Sequence, residues 1–323
     1  MKRGVLMLLA IAIGLSFAST VLAAEQYPTK PITFVVMAGP GGMSDVTARL
    51  LAEKFKVELG QSVLVTNKVG ANGILALKYV LGEKADGYTI AIGGTIEGFI
   101  APFFLDSEPF DFKDVSFVAG YMPQQRVLFT SAEKPYKNFQ EFLAYAKKHP
   151  GEVSAGSGAN QWAMGIIKSI AVKEGLKMKY VMFKSGGEAS TAMLGKHVDV
   201  CETGTGTPAF QAARDGKLSF LLNLGDEAVP YFPNAIGVKQ LGYPFRVITQ
   251  YGLILRAGTP EFIRKKLEDT VRKVINDPEV KKTLTGMGLT PEFIDGKEVE
   301  KLSKDAVQQV PELIKYIKPV EEG

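Results

Sequence analysis

Residues 32–55 read ITFVVMAGPGGMSDVTARLLAEKF. The opening ITFVVMAG at 32–39 is short, apolar and rich in β-branched side chains, as a strand covered on both faces should be. A glycine cluster ends it, and Val46, Leu50, Leu51, Phe55 and Leu59 then recur as one broad helical face. Strand, glycine turn and helix make the first half of a βαβ unit. SVLVTN at 62–67, a helix over about 72–81 and YTIAIG at 88–93 continue the alternation. Strands separated by helices at this spacing predict an α/β fold around a mostly parallel sheet.

Residues 101–123 are rich in Pro, Phe and Asp without a clean period, although SFVAGY at 116–121 reads as a strand. After VLFT at 127–130, Phe139, Phe142, Leu143 and Ala146 share a helix face that His149-Pro150-Gly151 terminates. A second α/β set follows: VSAG at 153–156, a helix over 161–173, YVMF at 180–183, a helix over 187–195, VDVCE at 198–202 and LSFLLNL at 218–224. VITQYGLIL at 247–255 is again strand-like. Thr259 as N-cap and Pro260 as first helical residue suit the start of a helix bearing Phe262, Ile263, Leu267, Val271, Val274 and Ile275. Asn276-Asp277-Pro278 breaks it, and helix resumes toward Ile317. Two similar blocks and a late return segment point to two lobes.

The chain of 323 residues, 46% hydrophobic and 22% charged, has ample apolar material for two cores, which excludes disorder. Its start has Lys2 and Arg3, an uncharged run from Gly4 to about Phe17, and small residues at Ala23 and Ala24. That order predicts a secretory signal peptide over 1–24, and hence export; a single membrane anchor is the competing reading. Losing Lys2 and Arg3 lowers the formal charge from +4 to +2, and the remaining cations are interspersed with acids, so no nucleic-acid stripe is present. Cys201 is the only cysteine, and His149 and His197 are the only histidines. Neither a disulfide, a conventional zinc cluster nor a recognisable catalytic triad can be assembled from them. No catalytic residue, metal or cofactor is expected, and a secreted hydrolase is the weaker rival reading.

Four loops carry the binding argument. In Gly39-Pro40-Gly41-Gly42-Met43-Ser44-Asp45, glycines leave backbone N–H groups unobstructed at a helix start, where an anion is attracted; Ser44 or Asp45 can cap the helix. The plainer alternative is a tight strand-to-helix connection. The P-loop and dinucleotide patterns are both absent. Gly156-Ser157-Gly158-Ala159-Asn160-Gln161 repeats the arrangement, as do Lys184-Ser185-Gly186-Gly187 and Glu202-Thr203-Gly204-Thr205-Gly206. Together they gather at the carboxyl ends of parallel strands, where open α/β sheets hold ligands. Thr95 and Glu97 read as rim residues, Glu97 being either solvated or turned to a neutral or cationic part of the ligand. Arg126 suits anion attraction or a structural ion pair. Trp162 suits lobe packing or an aromatic wall over the ligand.

YPTKPITFVVMAGPGGMSDVTARLLAEKF, NKVGANG at 67–73, ADGYTIAIG at 85–93, FKSGGEASTAMLGKHVDV at 183–200 and GLILRAGTP at 252–260 together resemble the periplasmic receptors of tripartite tricarboxylate transporters. The resemblance runs from about Tyr27 to Ile317. It implies a type II periplasmic binding protein fold, each of its two lobes a central β-sheet flanked by helices: 25–124 plus 250–323 in lobe 1, and 125–249 in lobe 2. It further implies capture of a small di-, tri- or aromatic carboxylate by a monomer, for delivery to a two-subunit inner-membrane permease; a ligand sensor of the same fold is the alternative. Met43 within the glycine run, Trp162 where histidine is frequent and Glu202 where Asp is common depart from the family pattern, while Tyr251 falls where the last crossing strand often has an aromatic. The candidate ligand-binding set is therefore Gly41, Gly42, Met43, Ser44, Asp45 and Thr95; Ser157, Gly158, Ala159, Asn160, Gln161 and Trp162; Ser185, Gly186, Gly187, Glu202 and Thr203; and Tyr251.

Overall fold

The computed structural model describes residues 26–105, 107–158, 161–225, 229, 231–247 and 249–316. The expected signal peptide and two candidate site residues, Ala159 and Asn160, lie outside the described residues.

The first block forms strand β1 (Ile32–Val36), helix α1 (Met43–Leu59), β2 (Val63–Asn67), α2 (Ile74–Gly82), β3 (Thr89–Gly94), α3 (Glu97–Phe104) and β4 (Val115–Pro123). The second forms β5 (Arg126–Ser131), α4 (Phe139–Lys148), β6 (Ser154–Gly158), α5 (Gln161–Glu174), β7 (Lys179–Phe183), α6 (Gly186–Leu194), β8 (Val200–Gly204), α7 (Pro208–Arg214) and β9 (Leu218–Asn223). β10 (Gln250–Arg256), α8 (Glu261–Asn276), α9 (Pro278–Gly286), β11 (Ile294–Asp295) and α10 (Gly296–Leu313) complete the chain. The strands make two sheets, ordered β11-β4-β10-β3-β1-β2 and β7-β6-β8-β5-β9. This is a two-lobe α/β fold, helices flanking each sheet, as in type II periplasmic binding proteins.

Each sheet has a parallel trio, β2-β1-β3 and β7-β6-β8. The expectation of a mostly parallel sheet needs correction beside each trio: β10 runs antiparallel to both β3 and β4, and β5 antiparallel to both β8 and β9. Connectivity explains the reversal. The trios end at the boundary between the sheets, so a chain arriving from the other sheet starts its new strand at that boundary and runs away from it. β4 passes into β5 through Gln124 and Gln125, and the chain returns into β10 at Thr249 and Gln250.

The cores follow the helical faces read from the sequence. Phe55 of α1 meets Phe34 of β1 edge-on at 5.2 Å between ring centres, and Leu267, Val271, Val274 and Ile275 of α8 join the same buried cluster. The core beside the second sheet contains Trp162, Ile166, Leu128 and Leu222, and also Ile96 and Ile100 at α3 and Ala306, Val310 and Leu313 from α10. Burying such side chains together contributes about 1.5–3 kcal/mol for each large apolar residue.

Three local readings change. α3 was not expected and runs into the start of the 101–123 stretch; Gly98 to Pro102 is buried throughout, and a helix segment covered all round has no polar stripe to reveal it. α7 was not expected, although Thr207 as N-cap and Pro208 at the helix start mark it. α8 begins one residue later than expected: Pro260, with ψ 137°, is the N-cap, and the Thr259 hydroxyl donates to the Arg256 carbonyl at 2.8 Å.

Candidate functional site

Both crossings are tied together at the boundary between the sheets. The Gln124 N–H donates to the Thr249 carbonyl at 3.2 Å, and the Thr249 hydroxyl donates back to the Gln124 carbonyl. Thr95, expected at the rim, is fully buried: its N–H and hydroxyl both donate to the Gln250 carbonyl, at 2.8 and 2.9 Å. Its side chain is thereby spent on holding the second crossing.

The first glycine loop is braced from inside. Asp45 accepts from the Gly41 N–H at 2.9 Å, from Asn67 at 2.9 Å and from two nitrogens of Arg49 at 2.9 and 3.1 Å. The Arg49 hydrogen bonds and charge, with those from Gly41 and Asn67, hold its carboxyl at about 2 despite burial. Gly41 has φ +76°, and the space where a side chain would begin is open, so the loop backbone there faces outward. Ser44, next to Asp45, is buried, and its hydroxyl lies near the Tyr251 phenol at the start of β10.

In the second lobe, β6 and β8 bring Ser157 and Glu202 together. The Ser157 hydroxyl donates to Glu202 Oε2 at 2.6 Å, and Arg126 Nε donates to Oε1 of the same carboxylate. Glu202 is fully buried and the Arg126 side chain is 9% exposed, so this ion pair is shielded from water and salt. Gln124 donates to the Tyr251 hydroxyl at 3.3 Å. A Cβ on Gly204 would stand 2.9 Å from Gln124 Nε2 and 3.1 Å from Arg126 Nη1, so both side chains lie over that bare backbone. Ser44, Tyr251 and Gln124 on one side and Arg126, Glu202 and Ser157 on the other make a polar assembly from both sheets.

Glu97 belongs beside it. Its carboxylate folds over Gly94, and burial pushes its proton affinity up, with nearby Arg126 and the N–H groups of Ile96 and Glu97 opposing. Glu97 as a whole is half-buried, with its Oε2 out of reach of water. Oε2 of Glu97, Nη2 of Arg126, Oε1 of Gln161, Nε1 of Trp162 and Oγ1 of Thr205 are buried with no hydrogen-bond partner among the described residues. A buried polar atom left unpaired costs about 1–3 kcal/mol, so the Glu97 and Arg126 atoms, near the Gln124–Tyr251 hydrogen bond, mark a place able to meet polar groups, whereas Trp162 Nε1 lies in the core.

The remaining candidates separate by role. A Cβ on Gly206 would stand 2.7 Å from Met43 Cε and 2.8 Å from Leu289, so the first and fourth loops meet across the lobes. Tyr231 adds a hydrogen bond to the Thr285 carbonyl at 3.3 Å. The Thr203 hydroxyl accepts from Thr207 at 3.1 Å. Ser185 caps α6 by accepting from the Glu188 N–H at 3.2 Å, and Glu188 accepts from the Lys184 N–H at 2.7 Å, a reciprocal cap on an exposed helix start. Gly186 backs directly onto Gly158, whose Cβ would lie 2.5 Å from the Gly186 Cα, and Gly187 is exposed. Gly42 is the N-cap of α1. Trp162 is 1% exposed within the core beside the second sheet. Gln124 was not foreseen as a site residue, and Thr205 only as a member of the fourth glycine loop; the polar pair Gln124-Gln125 interrupting two apolar strands was the available signal.

Nothing in this arrangement suits nucleophilic chemistry. Burial, with the Glu202 charge, pushes the Cys201 thiol up to about 12, leaving it protonated at neutral pH. Among the described residues, no three His, Cys, Asp or Glu side chains gather to hold a metal. None of the helices among them is long and apolar enough to cross a membrane.

The model of the tripartite tricarboxylate transporter family receptor matches residues 47–318. The chain belongs to that family. This receptor is 28% identical over 308 residues to the UPF0065 protein in the gbd 5' region of Cupriavidus necator, covering 95% of this chain and 93% of that one. It is 30% identical to a UPF0065 protein of Bordetella bronchiseptica, covering 82% and 79%. A solved structure described as a periplasmic transporter is 26% identical, with TM-score 0.76 over 90% of this receptor and 98% of that chain. A TctC solute-binding protein from Polaromonas, 23% identical with TM-score 0.75 over 90% and 99% of the two chains, shares the fold. Family membership makes the chain a periplasmic solute-binding receptor of a transport system, not an enzyme.

Proposed function

We propose that this receptor captures a small carboxylate between its lobes and delivers it, chemically unchanged, to a two-subunit inner-membrane permease. The first lobe is 25–124 with 250–323 and the second 125–249, and a cleavable signal peptide over 1–24 exports the chain. The observation that carries the reading is the polar assembly joining Ser44 and Tyr251 to Arg126, Glu202 and Ser157 at the crossings between the sheets. It brings the Arg126 guanidinium, whose Nη2 has no hydrogen-bond partner among the described residues, to the boundary where strand-to-helix loops of both sheets meet, an arrangement suited to an anion. Two proteins of the same fold support the ligand class: MatC from Rhodopseudomonas palustris was solved with malate at 22% identity, and a second R. palustris protein with adipate at 20%.

In this mechanism the lobes open about the paired crossings at Gln124 and Thr249, admit the anion and close, with Arg126, Gln161 and Thr205 supplying polar contacts. Closure is favoured only by as much as the ligand prefers the closed arrangement. Thermal-shift screening of mono-, di-, tri- and aromatic carboxylates, followed by calorimetry and mass spectrometry of the recovered compound, tests it. A ligand at 100 times its Kd should add about 2.7 kcal/mol of stability. Recovery of an altered compound, or no stabilisation by any carboxylate at millimolar concentration, would reject the proposal.

A further inference from the structure

Among the described residues, two charged groups present a buried atom without a hydrogen-bond partner: Oε2 of Glu97 and Nη2 of Arg126. One is an acceptor and the other a donor. They share a neighbourhood: Glu97 lies over Gly94, the strand partner of Tyr251, while Arg126 lies over Gly204 beside Gln124, which donates to the Tyr251 hydroxyl. They form no ion pair with one another among the described residues, because Arg126 turns its Nε to Glu202 instead. Glu202 has both oxygens occupied, one by Arg126 and one by Ser157. The single guanidinium is therefore already neutralised, and Glu97 is a second carboxyl with no cation assigned to it.

This composition is poorly matched to a ligand offering acceptors alone. With Glu97 ionised, the form that Arg126 and the Ile96 and Glu97 N–H groups favour against burial, a bare carboxylate could use Arg126 Nη2 but would leave Glu97 Oε2 unpaired and bring like charge toward it. A ligand with both kinds of group completes both atoms.

We propose that this receptor is specific for carboxylates that also carry a hydrogen-bond donor, a hydroxyl or an ammonium group, with Arg126 Nη2 taking the carboxylate and Glu97 Oε2 taking the donor. This deepens the carboxylate-receptor reading and rests on it. Glu97 is then the specificity-determining residue, because a site built around a buried acceptor rejects the analogue that lacks the matching donor far more strongly than an apolar pocket rejects a size change.

The experiment is calorimetry on the purified receptor with matched sets of mono- and dicarboxylates, each as the bare acid, the hydroxy acid and the amino acid; succinate, malate and aspartate form one set. The proposal expects a substituted acid to bind at least about tenfold more tightly than its bare partner. In Glu97→Ala that preference falls below about twofold. In the isosteric Glu97→Gln, checked for folding by circular dichroism, a hydroxyl preference survives through the amide carbonyl and an ammonium preference does not. A bare acid that binds as tightly as its substituted partners, with affinity falling as pH rises, would make Glu97 a proton-bearing donor and overturn the proposal. So would a preference that persists undiminished in both variants. If no member of any set binds, the carboxylate reading itself fails, which is a different result from binding without discrimination.

Discussion

Arg126 and Glu202 are paired at the base of β5 and β8, and the second oxygen of Glu202 is held by Ser157 2.6 Å away. A pair this deeply buried is valuable only while it is complete, since either charge alone would be stranded in a poorly solvating interior.

Arg126→Met should therefore lower stability in urea unfolding by about 3–5 kcal/mol, whereas Arg126→Met with Glu202→Gln should recover most of that loss. A single variant within about 1 kcal/mol of wild type would show that the pair is not desolvated.

The glycine loops should respond unequally to alanine. Gly158→Ala drives a methyl into the Gly186 backbone at 2.5 Å and should cost about 1–3 kcal/mol. Gly41→Ala meets open space and should cost about 1–2 kcal/mol, from its positive φ alone. Gly204→Ala meets only the ends of Gln124 and Arg126, so it should weaken ligand binding more than folding. Chemical denaturation with calorimetry measures each, and equal stability losses at Gly158 and Gly204 would contradict the packing described.

Asp45 supplies an acid-limb test. Its folded carboxyl, near 2, lies below the ordinary 3.8, so the stabilisation it brings is fully present above about pH 5 and is lost as pH falls toward 2. The stability difference between wild type and Asp45→Asn should be flat from neutral pH to about pH 5 and then shrink. A difference that grew on acidification would refute the sign of this linkage.

Trp162 is the only tryptophan and is packed in a cluster that also holds Ile96, Ile100 and α10 residues. Native emission should be blue-shifted and resist acrylamide, and Trp162→Ala should cost about 3–5 kcal/mol. Trp162→Phe should keep carboxylate affinity within about threefold; a larger loss would place the indole against the ligand after all.

Local structure was legible wherever one face of an element is apolar and the other polar. β1, α1, β3, α5 and α8 show that contrast or the short β-branched run of a buried strand, and glycine loops mark where they turn. α3 stayed hidden because nearly every residue from Gly98 to Pro102 is buried, leaving no contrast to read. The site was legible as loops but not as partners. Ser157 and Glu202 stand 45 residues apart and Arg126 and Glu202 stand 76 apart, and no local pattern couples them.

The amino-acid sequence by itself determined the alternation of strands and helices, the glycine turns that place backbone amides at helix starts, and the family, because each depends on neighbours within a few residues or on ordered motifs. Only the tertiary structure decided that β5 and β10 reverse direction at the crossings, that Thr95 and Asp45 are committed to internal hydrogen bonds, and that Glu97 and Arg126 keep one polar atom each without a partner. Those outcomes depend on which distant segments exclude water together, and burial of that kind is a property of the packed chain.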